Sequence, residues 1–437
     1  MLIEFSVSNY RSIGENQVLS LIPSLNQKEY SDNIISKYNY KILNAIGIYG
    51  NNASGKSNFL NAFELLDKLI YISARSSSTT KLPYKPFLLR EGFENKPTKF
   101  EIVFIIENNR YRLGVEYNRK KILKEWLYRK VVGREVMLYE RENDNIDVSS
   151  GFNGSPKLID AAIEATRENS MFISTCDMLN IDEAKTIFSW FNKLVYINGV
   201  ETEKEEITTV NLWENESYRT KIKEYINLLN LNIKDLSIVI EDFDASKLPQ
   251  NLNEQLKNKL IKDLDGSQGF KTLTTHQIYN KEGEVSEKSL RWALDENESE
   301  GTKKAFHLSG PIIKTLLEGG ILIIDETEAK MHPIMTINTI NLFLNSKTNP
   351  NNAQIVFATH DTNILTYCKL RRDQINFIEK NNWESSEIYS LSDFKYFDTD
   401  NSTERPDVDK EKRYFEGRYG AIPVLGSFAN KMEEWYG

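Results

Sequence analysis

Short apolar runs are spread widely along the chain, and each of them predicts a buried β-strand. The first run, 45–49, precedes a polar loop with two glycines and then apolar residues at helical spacing, which predict a helix over 58–70. Two later runs, 321–324 and 354–359, show the same buried-strand pattern. Strands buried on both faces read as continuous apolar runs, so the pattern predicts an α/β core with a parallel sheet.

Other periodicities separate these core strands. From about 98 to 141, apolar and polar residues alternate, which predicts an antiparallel meander. From about 156 to 265 the spacing is mainly helical, and strand-like patterns return at 269–279 and 288–294. The expected organisation is a first core segment at 1–97, an antiparallel β lobe at 98–155, an inserted mainly helical lobe at 156–268 and a second core segment at 269–437.

The C-terminal part predicts two further core strands, at 374–378 and 387–391. A polar stretch from 398 to 410 predicts a flexible loop. Aromatic residues then return, and they are expected to pack either on the core or on a neighbouring subunit. These residues are Tyr414, Phe415, Tyr419, Phe428 and Trp435.

The loop between the first strand and its helix has the spacing of a P-loop, G-x-x-x-x-G-K-S. A strand, a tight turn and a helix start bring several backbone N–H groups onto the phosphates of a nucleoside triphosphate. Lys56 is expected to reach the terminal phosphates, and the Ser57 hydroxyl to bind Mg²⁺. The alternative is a Gly/Ser-rich surface turn, but the flanking strand and helix favour the P-loop. The predicted ATP-binding residues here are Gly50, Asn51, Asn52, Ala53, Ser54, Gly55, Lys56, Ser57 and Asn58.

Two later strands end in residues with chemical roles. Asp325 and Glu326 follow the 321–324 run, where a carboxylate is expected near Mg²⁺ and a second one near the attacking water. His360 follows the 354–359 run and is expected at the same edge of the sheet. Alone it is more often a structural histidine, whereas its place after the acidic pair favours a catalytic one.

The stretch from Glu298 to Lys304 contains Ser299, Gly301 and a threonine at a predicted helix start. Such a start offers N–H groups and hydroxyls to an anion. By itself the pattern favours an ordinary helix cap. Its place about twenty residues before the acidic pair is typical of the signature motif of ABC-type ATPases.

Together these segments give the chain a resemblance that spans its whole length. The N-terminal IEFSVSNYRS, the P-loop, ESEGT, DETEAKMHP and THDT resemble bacterial RecF-like, ABC-type AAA ATPases, as do RRDQI and GRYGAIP near the C-terminus. Among these are the ATPases of the Rlo and PARIS (AriA-like) antiphage defence systems, which are often encoded beside an effector nuclease. The fold class that follows is α/β, a P-loop ABC-type ATPase core with an antiparallel β lobe and an inserted mainly helical lobe.

The resemblance also implies roles that the spacing alone does not give. Arg11 would lie near the nucleotide, and His360 would be the switch histidine. Ser299 and Gly301 would contact the γ-phosphate bound by a second subunit, which implies a homodimer or higher oligomer with shared ATP sites. The cofactors implied are ATP and Mg²⁺, and the implied partner is an effector protein encoded nearby.

The match has departures. The family usually reads DELDASLHP where this chain has Thr327, Glu328 and Lys330 at the third, fourth and sixth positions. The segment after the acidic pair lies across the subunit seam in such ATPases, so we expect the changes to affect the hydrolysis rate and the coupling between subunits. Lys330 is expected either to meet the partner's phosphates or to be solvated. The Q-loop glutamine has no clear counterpart, since 84–87 reads YKPF.

Composition narrows the function classes. The chain has 437 residues, 40% hydrophobic and 27% charged, which is typical of a globular protein of two or three domains. The two cysteines fit no zinc or redox spacing, and no apolar run reaches about 18 residues, so a cytoplasmic protein without membrane insertion is expected. The net charge of −8 gives no general attraction to DNA, and contact would need a local basic patch. The candidate patches, for which a solvated rim is the alternative, are Arg119-Lys120-Lys121 with Lys124, and Arg129-Lys130 with Arg134.

Two functions remain open at this stage. In the first, a nucleotide-controlled dimeric scaffold or sensor, hydrolysing ATP slowly, controls an effector in antiphage defence. In the second, a RecF/SMC-like ATPase closes on DNA in repair or recombination. The acidic balance and the absence of sustained heptads favour the first. A chain with its own nuclease is disfavoured, since no further acidic or histidine cluster is apparent in the sequence.

Overall fold

The computed structural model describes residues 1–248, 253–264, 268–394, 409–423, 431–432 and 435. The chain forms two compact units. Unit 1 comprises Met1–Val200, Thr315–Ala329 and Thr336–Gly437, and unit 2 comprises Glu201–Lys314 and Lys330–Met335. The expected polar loop at 398–410 lies mostly outside the described residues, and so does Phe428.

The elements are numbered along the chain. The strands are β1 Leu2–Ser8, β2 Gln17–Ser20, β3 Ile34–Lys37, β4 Tyr40–Leu43, β5 Ala45–Tyr49, β6 Thr98–Ile106, β7 Asn109–Tyr117, β8 Ile122–Lys130, β9 Val136–Glu142, β10 Asn145–Val148, β11 Leu194–Asn198, β12 Asp235–Asp242, β13 Gln268–Tyr279, β14 Val285–Ala293, β15 Ile321–Asp325, β16 Gln354–Ala358, β17 Ile375–Lys380 and β18 Ser386–Ser390. The helices are α1 Lys56–Ile72, α2 Pro156–Ala165, α3 Phe172–Met178, α4 Asp182–Phe191, α5 Glu203–Trp213, α6 Glu216–Leu228, α7 Glu254–Leu264, α8 Leu294–Asn297, α9 Glu300–Glu318, α10 Pro333–Leu344, α11 Asn363–Tyr367 and α12 Lys410–Phe415.

The central sheet of unit 1 contains the predicted core strands in the order β11-β15-β16-β5-β17-β18. Every neighbouring pair is parallel except β17 with the edge strand β18. All five residues of β5 and of β16 are buried, as continuous apolar runs predict. The expected α/β fold class is thereby confirmed.

The antiparallel sheet of unit 1 has seven strands in the order β10-β9-β8-β7-β6-β1-β2. The predicted meander is present as β6 to β9, and β1 pairs with β6. This sheet therefore extends beyond the expected 98–155 segment. The reason is packing, because Phe5 on β1 stacks on Phe63 of α1 at 3.6 Å between ring centroids and also on Phe100 of β6.

The boundary of the inserted lobe also differs from the expected 156–268. Helices α2 to α4 belong to unit 1, where Phe172 and Trp190 are buried in the same apolar cluster as Phe104 of β6. Trp190 stacks on Phe104 with a centroid separation of 4.2 Å. Helical periodicity marks a buried face but not the core that buries it, so spacing alone does not assign these helices to unit 1.

Unit 2 combines helices with the three-stranded antiparallel sheet β12-β13-β14. Its own apolar core includes Ile222 and Ile226 of α6 together with Phe306 of α9, and Leu229 packs against that cluster. The strand-like patterns at 269–279 and 288–294 correspond to β13 and β14.

The described part of the C-terminal tail packs on unit 1. Rings of Tyr414 and Tyr419 each lie 5.6 Å from that of Phe377 on β17, while Phe415 and Trp435 are exposed. Tyr414 and Tyr419 therefore pack on the core, which is one of the two arrangements expected for this tail. Among the described residues, no helix is both long enough and apolar enough to cross a membrane.

The two basic patches considered for DNA are partly engaged within unit 1. Arg129 donates to Glu183 at 3.1 Å and to the carbonyl oxygen of Gly151 at 3.0 Å. Lys124 forms an ion pair with Glu142 at 3.5 Å. Arg129 therefore has a structural role, since Glu183 is almost fully buried and needs a charged partner.

Candidate nucleotide-binding site

The P-loop lies at the edge of the central sheet where the parallel strands end. Ile48 of β5 pairs with Ala358 of β16, and Phe357 of β16 pairs with Ile324 of β15. This register brings the residues after β5, β15 and β16 to one edge, which is where open α/β sheets bind ligands. A cavity of about 500 Å³ lies there, a size suited to a nucleotide. It is lined by Ser12, Asn52, Ala53, Ser54, Gly55, Lys56, Ser57, Asn58, Glu326, His360 and Lys380.

Two glycines allow the loop to pack closely against the strands behind it. A Cβ on Gly50 would lie 2.3 Å from the carbonyl oxygen of Ile378. Gly55 has φ +114°, and a Cβ there would lie 2.1 Å from Ser386 Oγ. Glycine is therefore required at both positions, at Gly55 for backbone conformation as well as for space.

The loop leaves polar groups that suit an anion. Helix α1 has Gly55 as its N-cap and no side-chain cap, so its first N–H groups face the loop. Ala53 adopts φ +61°, and the buried hydroxyl of Ser54 has no hydrogen-bond partner among the described residues. Buried polar groups are normally paired, so this arrangement fits a phosphate that the loop would hold.

Lys56 is buried and turns back onto the loop. Its Nζ donates to the carbonyl oxygens of Gly50 at 2.7 Å and Asn51 at 3.1 Å. Burial lowers the pKa of Lys56 to about 8, against the opposing effect of the carboxylates of Asp325, Glu328 and Glu326. A desolvated ammonium among carboxylates is a strong partner for phosphate oxygens.

The acidic pair stands at the end of β15, where Asp325 is the last residue of the strand and the chain turns at Glu326. Glu326 has φ +47°, and its N–H donates to Asp325 Oδ1 at 3.1 Å. The neighbouring strand β11 is followed by Gly199, whose N–H donates to the carbonyl oxygen of Asp325 at 2.9 Å. A Cβ on Gly199 would lie 2.3 Å from the carbonyl oxygen of Glu326, so this glycine allows the turn. No motif in the sequence marks Gly199.

His360 reaches the same cavity, with Nδ1 3.5 Å from Lys56 Nζ. Burial, followed by the charge of Lys56, lowers the pKa of His360, which favours the neutral imidazole. Its backbone N–H donates to Glu328 Oε1 at 2.6 Å, and Thr359 Oγ1 donates to Glu328 Oε2 at 2.7 Å. Glu328, which the sequence marked only as a departure from the family pattern, therefore fixes the segment that carries the histidine.

Arg11 lies beside the loop. It has φ +49°, and its Nη1 donates to Asn58 Oδ1 at 3.1 Å, while Asn58 Nδ2 donates to Ser12 Oγ at 2.9 Å. Ser386 Oγ donates to the carbonyl oxygen of Ser54 at 2.5 Å and lies 2.8 Å from Ser12 Oγ. Sequence reasoning named Arg11 and Asn58 as site residues but not Ser12 or Ser386, because a single serine in a turn or a strand carries no signal.

The predicted signature residues belong to unit 2. Ser299 Oγ accepts from the N–H of Thr302 at 3.2 Å, which is the geometry of a helix cap at the start of α9. A Cβ on Gly301 would lie 2.9 Å from the carbonyl oxygen of Lys330. Lys330, with φ +60°, pairs with Glu300 at 3.0 Å, so it is engaged within unit 2.

The residues at the sheet edge fit ATP and Mg²⁺. Ser57 and Asp325 supply the hard oxygen donors that Mg²⁺ prefers, and the P-loop supplies N–H groups and Lys56 for the phosphates. Glu326 lines the cavity where a water would attack. Within unit 1, therefore, the sequence-predicted residues of the P-loop, the acidic pair and His360 come together at one site.

A parallel sheet with a P-loop, an acidic pair and a histidine at its carboxyl edge defines the core of an ABC-type AAA ATPase. The chain belongs to the family described as "AAA domain, putative AbiEii toxin, Type IV TA system", whose model matches residues 46–366. Among curated proteins, none matches the sequence.

Similar solved structures include an SMC head domain and a recombination mediator protein. One is the SMC head domain from Thermotoga maritima, at 10% identity and a TM-score of 0.40, over 89% of this chain and 98% of that one. The other is the recombination mediator protein RecF bound to ATP, at 18% identity and a TM-score of 0.31, over 82% of this chain and 93% of that one.

Proposed function

We propose that the protein hydrolyses ATP slowly in the P-loop cavity and uses the nucleotide state to control a partner protein. The observation that carries this proposal is the meeting of Lys56, Glu326 and His360 at one cavity, with Lys56 Nζ 3.5 Å from the histidine ring. Family membership supports the nucleotide and the reaction class.

Each side chain has a separate task in this reaction. Lys56 and the first N–H groups of α1 hold the phosphates, and Ser57 and Asp325 hold Mg²⁺. When held by Ser57 and Asp325, Mg²⁺ would neutralise charge on the phosphates. Glu326 orients the attacking water and accepts its proton. His360, held by its backbone to Glu328, contributes a neutral imidazole toward the γ-phosphate.

The same proposal places a second subunit opposite the nucleotide. In the ABC-type arrangement that the motifs resemble, Ser299 and Gly301 at the start of α9 meet the γ-phosphate held by the other subunit. ATP then favours a head-to-tail pair and ADP does not, because a ligand shifts an equilibrium only through differential affinity. The protein is thus a homodimer, or a higher oligomer, in its ATP-bound state.

The partner under control is an effector protein in bacterial antiphage defence. The family description includes the words "putative AbiEii toxin, Type IV TA system", which refer to a pair of gene products. The predicted resemblance to the ATPases of defence systems supports the same context. The effector would be a nuclease encoded nearby.

Two substitutions test the catalytic part. Glu326→Gln removes the base and keeps the size of the side chain, so we expect turnover to fall by about 10² to 10⁴-fold while ATP remains bound. Lys56→Ala removes the phosphate contact and weakens ATP binding instead. Turnover is measured by phosphate release, and affinity by titration with a fluorescent ATP analogue. Unchanged turnover in Glu326→Gln would refute the role of this carboxylate.

Co-purification with the product of a neighbouring gene tests the switch. Wild-type protein and the two variants are each purified with that partner in ATP, in ADP and without nucleotide. We expect the amount of retained partner to differ most between Glu326→Gln with ATP and Lys56→Ala. Identical partner retention under all conditions would refute nucleotide control while leaving the hydrolysis intact.

A further inference from the structure

Unit 2 contains a small cavity that the proposed ATPase does not use. Its volume is about 190 Å³, too small for a nucleotide but sufficient for an ion and several waters. Glu206 of α5, Asp295 of α8 and His307 of α9 line it, and their ligand atoms all lie within 4.8 Å of one another. We call this set the acid–histidine cluster.

The two buried members of the cluster are oriented by threonines. His307 Nδ1 lies 3.0 Å from Thr202 Oγ1, and Glu206 Oε1 accepts from Thr272 Oγ1 at 3.0 Å. The other polar atoms of these two side chains, His307 Nε2 and Glu206 Oε2, lie 3.6 Å from each other. In metal sites, such outer hydrogen bonds select the imidazole tautomer and fix the ligand.

His307 Nε2 is the observation that points to a ligand. The side chain is 6% exposed, and Nε2 has no hydrogen-bond partner among the described residues. The distance of 3.6 Å to Glu206 is too long for a hydrogen bond. A neutral imidazole presents a lone pair on its unprotonated nitrogen, which a metal ion can accept.

The two carboxylates of the cluster lie close to each other. Three lysines, Lys303, Lys304 and Lys330, line the same cavity, and two of them, Lys303 and Lys330, pair with Glu300 at 3.0 Å. A divalent ion between the carboxylates would relieve their repulsion.

We propose that Glu206, Asp295 and His307 bind one divalent transition-metal ion of the zinc type. One imidazole nitrogen and two carboxylate oxygens are ligands that Zn²⁺ accepts, with a water in the fourth position. Bonds of about 2.0 to 2.2 Å in a tetrahedron place ligand atoms about 3.4 Å apart, close to the separation of Glu206 and His307. Asp295 is exposed and can rotate to complete the set.

The ion would join α5, α8 and α9 near the start of the helix that follows Ser299. Helix α9 otherwise begins with a side-chain cap and with an exposed ion pair, and the ion pair contributes little. A metal bridge from His307 to α5 would hold the first turns of α9 in place. This site is independent of the proposed ATPase reaction.

Zinc binding to the full-length, nucleotide-free protein tests the site. The protein is treated with chelator, dialysed against Zn²⁺ and analysed for bound metal, and Co²⁺ is used in parallel for its visible spectrum. We expect about one Zn²⁺ per chain and a rise in melting temperature on loading, because a ligand that binds only the folded state stabilises it. Wild-type protein that binds no zinc would overturn the proposal.

Matched variants locate the ion. Asp295→Asn changes an exposed ligand and Glu206→Gln keeps the acceptor for Thr272, so both should fold, and their metal-free melting temperatures verify this. We expect each to lose at least about tenfold in zinc affinity, and His307→Gln to lose more. Glu296→Gln, a neighbouring exposed carboxylate that pairs with Lys271, is the control and should bind as wild type. Equal affinity in Asp295→Asn, Glu206→Gln and Glu296→Gln would overturn the assignment of these ligands.

Discussion

The P-loop cavity of unit 1 and the acid–histidine cluster of unit 2 are built in different ways. In the first, the register of parallel strands and two glycines position backbone groups, and side chains are added at strand ends. In the second, side chains from three helices converge, and threonines orient two of them. A site built from backbone groups produces a recognisable residue spacing in the sequence. A site built from side chains of separate helices produces almost none.

Mixing two inactive variants tests whether unit 1 of one subunit and unit 2 of another form one ATP site. Of the predictions here, this one has the largest expected effect on activity. Lys56→Ala disables the P-loop of unit 1, and Ser299→Arg disables the signature of unit 2. If each ATP site takes one unit from each subunit, an equal mixture with random pairing restores about a quarter of the wild-type sites. Phosphate release is measured for each variant alone and for the mixture.

The control for this experiment is a direct check that the two variants pair with each other. Differently tagged subunits are captured to show that mixed dimers form. A mixture that contains mixed dimers but gains no activity over either variant would mean that unit 2 does not complete the site of another subunit.

Removing the charge of Glu328 tests whether a side chain is needed to position His360 in the P-loop site. Glu328→Gln weakens the two hydrogen bonds that hold Thr359 and the backbone of His360, at 2.7 and 2.6 Å. Hydrogen bonds to charged groups are worth about 1.5–3 kcal/mol, so we expect turnover to fall about tenfold. The exposed Glu387→Gln, whose carboxylate accepts from Asn381, serves as the control. Turnover that stays at the wild-type level in Glu328→Gln would mean that the backbone alone positions His360.

The sequence predicts that these residues meet at the sheet edge for a physical reason. Strand, loop and helix follow one another without interruption from 45 to 70, so local periodicity and the spacing of Gly50, Gly55 and Lys56 determine the geometry together. Asp325 and His360 come from distant segments, but each follows an apolar strand. Parallel strands place their ends at one edge, which the structure shows.

Other features depend on contacts between segments that no local pattern reveals. Ser386 lies far along the chain from Ser54 and supports the P-loop only because β18 lies at the end of the same sheet. Glu206 and His307 belong to helices whose periodicity predicts a buried face, and burial of a polar residue says nothing about its partner. The assignment of 156–200 to unit 1 was missed for the same reason, since several apolar cores accept the same helical pattern.

A buried carboxylate in each unit provides the last and smallest test. Asp67 of α1 resembles Glu206 of the acid–histidine cluster in that burial raises its pKa, to about 7 for Asp67. Asp67 Oδ1 has no hydrogen-bond partner among the described residues, and no histidine joins it in a metal-ligand set there. The two carboxylates should therefore respond differently when they are replaced.

Asp67→Asn should change stability with pH and leave metal binding unchanged. The folded protein keeps a proton on Asp67 between about pH 4 and 7 that the unfolded chain releases, so stability falls as pH rises through this window and stays low above it. Asparagine has no proton to lose, so at pH 8 we expect the variant to be more stable by about 1–2 kcal/mol, less than the full pKa shift implies because the carboxyl is partly exposed. At pH 4 the two proteins should be equally stable.

Urea unfolding at both pH values, with the exposed Glu142→Gln as control, measures the difference in stability. An equal gain at pH 4 and pH 8 would show that the cause is packing and not the charge of Asp67.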